Sequence, residues 1–198
     1  MSSSSKSSLI LASSSPRRLE LLVSFGVTPD KIIPADIDES LVDGELPRPF
    51  ALRMAIEKAQ AIKQAIKNET GNYILAGDTI VAMGRRIFSK PEDEAQARKF
   101  LGLMSGRSHR VYSGICVVDP MGAFQSRVVE TRLKMKRLSK AELDTYIASN
   151  EWRGKAGAYG IQGVAGAYIS QIIGSYSNVV GLPVYETRNL LKGAGYEC

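Results

Sequence analysis

Short apolar runs, separated by stretches of helical periodicity, constrain the fold of this chain more than any other feature. The pattern predicts strands at residues 8–12, 30–37, 72–83, 109–119, 129–138 and 167–174, the third of them broken by Gly77 and Asp78. From 129 to 136 the side chains alternate between core-type and charged residues, which is typical of a strand with one buried face. Because helices and strands do not alternate strictly, we predict the α/β class with α+β character: a twisted mixed sheet flanked by helices.

Helices are expected between these strands. The longest lies within 48–71, where apolar residues recur at helical spacing from Leu52 to Ile66. Ser139 and Glu142 form a capping box that opens a helix over 139–150. Further helices are predicted at 16–26, at 90–106, where a proline opens the helix, and at 183–192.

Composition limits the possible classes of protein. With 198 residues, 44% of them hydrophobic, the chain can bury the core of one domain. Its two cysteines form no C-x-x-C pair, so neither a zinc site nor a disulfide framework is indicated, and a reducing compartment, the cytoplasm, is expected. No apolar run approaches the length needed to span a membrane. The polar segment 1–7 is expected to be a disordered serine-rich leader, and 8–198 a single domain.

The segment LASSSPRRLELL at 11–22 combines a strand end, a serine-rich loop and a helix start. Ser15 can cap the helix and Pro16 suits its first position. Arg17 and Arg18 then stand where the helix dipole favours acidic residues, which makes sense if an anion such as a phosphate binds there. Two solvated surface arginines are the alternative interpretation.

Several charged residues are candidates for chemistry, although each has an ordinary alternative. Asp78 lies between apolar residues, where a carboxylate is costly unless it is paired, binds a metal or is capped by backbone amides. The acidic segment 36–40 contains Glu39, and an exposed loop is the alternative there. Lys58 and Lys90, each taken alone, are typical of solvated lysines. His109, the only histidine, is expected to make a structural hydrogen bond, and a multi-histidine metal site is excluded.

The combined motifs resemble one family. LASSSPRRLELL, EKA, LAGDTIV, KP, GKAGAYGIQG and GSYSNVVGLP occur in this order, and together they resemble the Maf family of nucleotide pyrophosphatases from Leu9 to about Leu191. The segment AGAYGIQG resembles the branch that acts on dTTP and UTP. The resemblance implies hydrolysis of a nucleoside triphosphate to monophosphate and pyrophosphate, a divalent metal, and an elongated mixed sheet with two lobes around a cleft, similar to inosine triphosphate pyrophosphatases. It also implies a homodimer.

The resemblance assigns roles to individual residues. Asp78 matches the proton acceptor, and three residues match positions for substrate selection: Arg18, Thr79 and Gln162. The polar lining of the pocket corresponds to Ser13, Arg17, Glu39, Lys58 and Lys90. These residue types suit the reaction, because a triphosphate requires several cations and Mg²⁺ or Mn²⁺ can be held by Asp78 with Glu39. Many relatives have a glycine before the lysine of KP, where this chain has Ser89.

Four alternatives remain at this point. A 7-methyl-GTP pyrophosphatase would keep the reaction and change the base. A non-catalytic regulator of cell division and septum formation would act through a partner. Within the enzyme hypothesis, modified pyrimidine nucleotides are possible substrates, consistent with house-cleaning of the nucleotide pool. A nucleic-acid binder is supported only by the net charge of +6, since no basic block of five residues and no RNA-reading aromatic signature accompanies it.

Overall fold

The computed structural model describes residues 8–67, 69 and 71–198. The predicted leader at 1–7 therefore lies outside the described residues. None of the helices in this part of the chain is both long and apolar enough to cross a membrane.

A seven-stranded mixed sheet forms the centre of the molecule, as predicted. Its strands run in the order β2-β1-β3-β5-β6-β7, and β4 pairs with β3 beside this path. Strand β1 is parallel to β2 and β3, whereas the other pairs are antiparallel. The strands are β1 (Ser8–Ala12), β2 (Lys31–Ile32), β3 (Asn72–Met83), β4 (Arg86–Phe88), β5 (Ser108–Val118), β6 (Phe124–Met135) and β7 (Ile169–Ile173).

Six α-helices flank the sheet in the described part of the chain. They are α1 (Pro16–Ser24), α2 (Pro47–Ala65), α3 (Glu94–Met104), α4 (Lys140–Ala148), α5 (Tyr176–Val180) and α6 (Val184–Gly193). Short 3₁₀ turns cover Ala156–Ala158 and Val164–Tyr168. The predicted capping box of α4 is present, with both the Ser139 and the Glu142 contacts made.

Three predicted strands differ from the structure. The strand predicted at 129–138 spans Phe124–Met135, since its pairing with β5 begins at Phe124. Strand β3 is not broken at Gly77 and Asp78, because both residues pair with β5. The hydrogen bonds between the strands join backbone groups, so a polar side chain does not interrupt them. The strand predicted at 30–37 is only two residues long in the structure, because β1 pairs with it only at Lys31 and Ile32.

The predicted starts and boundaries of some helices also need correction. Helix α3 begins at Glu94 rather than at Pro91, because the Asp93 side chain accepts a capping hydrogen bond from the Gln96 amide. Ser15 occupies the cap position of α1, but its side chain makes no capping hydrogen bond. The loop predicted before the last helix contains the additional helix α5.

The helices lie on opposite faces of the sheet. Helix α2 packs on the face that carries Ile74 and Ala76, through Ala55, Ala59 and Ile62. The opposite face, which carries Leu75 and Ile115, is covered by α1 and by the region of α6 through Leu22, Leu182 and Leu191. A separate apolar cluster, with Leu101, Tyr146 and Trp152, joins α3 and α4 at the other end of the sheet. This arrangement leaves a cleft between the two ends.

Candidate active site

The cleft opens where the sheet is split. Strand β1 pairs with β3 only along residues 72–76 of β3, and β4 pairs only along residues 81–83. The intervening residues 77–80 have no strand partner on that edge within the described part of the chain, although β5 pairs with all of them on the other edge. A cavity of about 880 Å³ lies at this gap. Side chains from both faces of β3 can therefore reach one space.

The nine residues predicted for the site all line this cavity: Ser13, Arg17, Arg18, Glu39, Lys58, Asp78, Thr79, Lys90 and Gln162. They come from the loop after β1, from α1, α2 and β3, and from three further loops that carry Glu39, Lys90 and Gln162. The sheet thus brings together residues that are far apart in the chain.

An ammonium group joins the two candidate metal ligands. Lys58 Nζ lies 2.6 Å from Asp78 Oδ1 and 2.6 Å from Glu39 Oε1. Lys58 is not the solvated helix lysine that its position alone indicates, since only 8% of the residue is exposed. Burial opposes the ionisation of Glu39, but the hydrogen bond and charge of Lys58 outweigh it and lower the pKa of that carboxyl. Lys58 therefore holds the loop of Glu39 against β3.

These two carboxylates suit a magnesium-type ion better than a zinc-type ion. Among the described residues no group of three or more histidine, cysteine or acidic side chains is placed to hold a metal. Mg²⁺ commonly takes one or two carboxylates and completes its shell with water and substrate phosphates. Since the oxygens of Asp78 and Glu39 share one hydrogen-bonding partner, they lie close enough to turn toward one cation.

Arg18 is held by the protein itself. Its Nε donates to the Gly181 carbonyl at 2.9 Å, and its two terminal nitrogens donate to Ser13 Oγ at 3.0 Å and to Thr79 Oγ1 at 3.2 Å. Burial, the largest effect, lowers the pKa of Arg18, while the nearby Asp78 carboxylate raises it. Three of the five N–H groups of this guanidinium are thereby directed to protein acceptors.

A chain of polar groups continues from Thr79 into the core. Thr79 Oγ1 lies 2.8 Å from Ser113 Oγ, which donates to the Asn178 carbonyl at 3.0 Å. The buried Asn178 amide donates to the Val111 carbonyl and to Thr131 Oγ1. These bonds fix α5, and with it the Gly181 carbonyl that accepts from Arg18. Ser113 and Asn178 were not among the predicted site residues, although Asn178 lies in the GSYSNVVGLP motif.

Three cations face the cavity without a carboxylate partner among the residues that the structure describes. Arg17 and Lys90 make no side-chain hydrogen bond or ion pair with any described residue, and Lys155 donates only to the Glu151 carbonyl. Gln162 is exposed in a loop. Two residues further on, the Val164 amide donates to Glu151 Oε2 at 3.0 Å, which anchors this loop. Lys155 and Glu151 were missed as site residues. The only sequence signal for Lys155 was its place in the glycine-rich segment.

His109 has the structural role that was predicted. Its Nε2 lies 2.6 Å from Tyr159 Oη, and the two rings meet edge to face. Burial lowers the pKa of His109 to about 4, so the ring is neutral near pH 7. Tyr159 lies in the GKAGAYGIQG segment and lines the cavity, so the pair connects β5 to the part of the cavity wall that this segment forms.

Comparisons with known proteins find similar sequences along nearly the whole chain. A family model described as Maf-like protein matches residues 8–194, a range that includes all nine predicted cavity residues. A dTTP/UTP pyrophosphatase from Mesorhizobium japonicum is 53% identical over 192 residues, which cover 96% of this chain and 92% of that protein. A dTTP/UTP pyrophosphatase from Agrobacterium fabrum is 54% identical over 196 residues, covering 98% and 95%. Among solved structures, a HAM1 protein from Coxiella burnetii aligns over 94% of this chain and 98% of its own, with 23% identity and a TM-score of 0.45.

Proposed function

This chain belongs to the Maf family, and we propose that it hydrolyses nucleoside triphosphates, preferring dTTP and UTP, to nucleoside monophosphate and pyrophosphate. The two relatives described above, both dTTP/UTP pyrophosphatases, support the substrate class. The observation that carries the proposal is the shared cavity in which Lys58 joins Asp78 and Glu39, while Arg17 and Lys90 have no carboxylate partner in the described part of the chain. A cavity with a carboxylate beside unpaired cations suits a polyanion that must be attacked by water.

In the proposed reaction, Asp78 orients a water molecule toward the α-phosphorus and accepts its proton. The new bond joins the water oxygen to the α-phosphorus, and the bond from that phosphorus to the bridging oxygen breaks in line with it. Pyrophosphate leaves with the bridging oxygen. Lys58, whose ammonium lies 2.6 Å from Asp78, stabilises the negative charge that develops on the phosphoryl oxygens.

We propose that Asp78 and Glu39 hold the divalent cation, Mg²⁺ or Mn²⁺. When bound, the cation supplies positive charge to the phosphate oxygens and orients them. Lys58 can then exchange one of its carboxylate contacts for a phosphate oxygen, because an ammonium group has three N–H donors.

We assign base selection to the other face of β3. Thr79, held by Arg18 and Ser113, has a fixed hydroxyl beside the cavity. Gln162 supplies an amide that can both donate to and accept from a base edge. A pocket built on such bonds rejects a base that leaves its polar groups unpaired.

The proposal is tested by pyrophosphate release from dTTP, UTP, CTP, the purine triphosphates and 7-methyl-GTP, with Mg²⁺, with Mn²⁺ and with EDTA. We expect metal-dependent turnover of dTTP and UTP, and a loss of kcat of roughly 10²-fold or more in Asp78→Asn, since that substitution removes the proton acceptor. Asp36→Asn is the matched control, because Asp36 is an exposed carboxylate in the segment that carries Glu39 and does not line the cavity.

The other outcomes distinguish the alternatives. Turnover of 7-methyl-GTP in place of dTTP and UTP would keep the reaction but reject the assignment of Thr79 and Gln162. No turnover of any nucleotide by the folded protein would reject the enzyme and favour a regulator, whose biological effect Asp78→Asn would preserve.

A further inference from the structure

The charges of the cavity are unevenly compensated. At one part of its wall the ammonium of Lys58 is matched by two carboxylates, Asp78 and Glu39. At another part Arg17 and Lys155 face the same space, and neither is paired with a carboxylate among the described residues. Burial lowers the pKa of Lys155 most, the charge of Arg17 lowers it further, and the Glu151 carboxylate opposes both with the smallest effect. The Glu151 carboxylate thus offsets the two cations only in part, and a bound anion would relieve the remaining repulsion between them.

The position of Lys155 is set by its surroundings. Its side chain crosses directly over Gly160, where an added Cβ would lie 2.6 Å from Lys155 Cε. Its Nζ donates to the backbone carbonyl of Glu151. This acceptor is neutral, so a charged phosphate oxygen can replace it. The lysine is thus held at the cavity wall by its own loop without being neutralised there.

The backbone that carries Lys155 is fixed to the sheet. The Gly157 amide donates to the Ser89 carbonyl at 3.1 Å, next to Lys90. Gly157 has a φ of 71° and packs against Val81 so closely that an added Cβ would lie 2.9 Å from its Cγ1. The neighbouring Ala158 also has a positive φ, 63°, which is uncommon for a residue other than glycine. Such a conformation is maintained only where the surrounding structure imposes it, so Lys155 is presented by a rigid segment.

We propose that Lys155 and Arg17 together form the binding site for the pyrophosphate group, as the β- and γ-phosphates of the substrate and as the released product. This inference rests on the proposed function, because it takes the substrate to be a nucleoside triphosphate. The α-phosphate must lie beside Asp78, where carboxylates already offset the positive charge of Lys58. The more highly charged pyrophosphate portion then matches the part of the wall whose cations are not offset. Arg17 can offer two parallel N–H donors to a phosphate, and Lys155 adds a point charge by exchanging the Glu151 carbonyl for a phosphate oxygen.

The test is calorimetric binding of inorganic pyrophosphate and, separately, of dTMP to the full chain, which requires no turnover. We expect Lys155→Met to weaken pyrophosphate binding about tenfold or more and to change dTMP binding by less than about threefold, because only the former ligand meets the unpaired cations. Lys155→Arg should retain most of the affinity for pyrophosphate. Lys140→Met, an exposed lysine at the start of α4, is the control and should bind both ligands as the unaltered chain does.

A second variant moves Lys155 without removing its charge. Gly160→Ala places a methyl group against the Lys155 side chain, so we expect it to weaken pyrophosphate binding as well, with circular dichroism used to confirm folding. Unchanged pyrophosphate binding in folded Lys155→Met, or an equal loss for dTMP and pyrophosphate, would overturn the assignment. If the unaltered chain bound pyrophosphate through Lys155 yet hydrolysed no nucleotide, the site would stand and the proposed function would fail. If it bound no pyrophosphate at millimolar concentration, the site itself would be rejected.

Discussion

Arg17 and Arg18 are neighbours in sequence and have different surroundings in the structure. Successive residues of a helix point about 100° apart, so the two side chains leave α1 in different directions. Arg18 donates to Gly181, Ser13 and Thr79, whereas Arg17 reaches the cavity without an acceptor among the described residues. The paired arginines therefore divide two tasks: one organises the wall of the site, and the other remains available for an anion.

Alanine substitutions should separate these tasks. We expect Arg17→Ala to lower kcat/KM for dTTP by roughly 10²-fold with an unchanged Tm, since it removes a charge-assisted contact to the phosphates and no internal bond. Arg18→Ala should also lower the stability, by about 1–3 kcal/mol, because it leaves the Gly181 carbonyl with one fewer donor in a partly buried site. Steady-state kinetics and thermal unfolding of both variants measure the difference. Equal Tm losses in the two variants would contradict it.

The sequence predicted which residues would share a cavity, but not how each side chain is paired or buried there. All nine residues that the family resemblance assigned to the site line the cavity, whereas Lys155 and Glu151, which also line it, were missed. Lys58 alone, however, is typical of a solvated helix lysine, and only the tertiary packing of α2 on β3 shows that it is buried between Asp78 and Glu39. Lys155 was marked in the sequence only by its place in the glycine-rich segment, because its position at the cavity depends on its contacts with Glu151 and Gly160.

Among the elements, α2 and β5 meet in an unusually close contact at Gly114. A Cβ at this position would collide with the carbonyl oxygen of Ala51 and lie 2.6 Å from the carbonyl carbon and 2.9 Å from Leu52 Cα. All three are backbone atoms, so no side chain can move aside. Gly114 pairs directly with Asp78 of β3, so the close approach of α2 occurs beside the residue that Lys58 must reach.

Gly114→Ala should push α2 away from the sheet. We expect a loss of about 3 kcal/mol in the free energy of unfolding, together with a lower kcat as Lys58 separates from Asp78. Gly102→Ala in α3 is the control: no atom lies within 4 Å of its added Cβ. Because Gly102 is exposed in a helix interior, that change should stabilise the protein by about 0.5–1 kcal/mol. Urea unfolding of both variants tests the pair, and a tolerated Gly114→Ala would contradict the contact.

The elements themselves were predictable where local signals were strong. The capping box of α4 and the alternation in β6 were both confirmed. The break predicted in β3 was wrong because pairing with β5 on one edge sustains a strand that its own sequence interrupts. Strand β4 was not predicted, since its three residues form a strand only by folding back on β3.

At the scale of the whole molecule, the buried His109 makes stability depend on pH. Burial lowers the pKa of His109 to about 4 in the folded chain, from 6.5 in the unfolded chain. Between these values the unfolded state binds the extra proton, so stability is complete above pH 6.5 and is lost as the pH falls toward 4. We expect this group alone to contribute a loss of about 2 kcal/mol between pH 7 and pH 5.

The contribution of His109 can be isolated by comparison. His109→Gln keeps a side chain that can hydrogen-bond to Tyr159 but does not titrate. Urea unfolding at pH 7, 6 and 5 should show a shallower pH dependence for this variant than for the unaltered chain. Identical slopes over that range would mean that the histidine can be protonated without cost in the folded protein.

The gap in the sheet at residues 77–80 opens both faces of one strand to the same cavity. Asp78 and Thr79 are consecutive residues of one strand, and their side chains lie on opposite faces: Asp78 meets α2, whereas Thr79 meets α1 and α5. The supporting residues of the two faces are consequently different. Under the proposed roles, substitutions around Thr79 could change the accepted base while the neighbours of Asp78 stay intact. An architecture of this kind allows a lineage to diversify its substrates by drift on one face of a strand while selection preserves the reaction on the other.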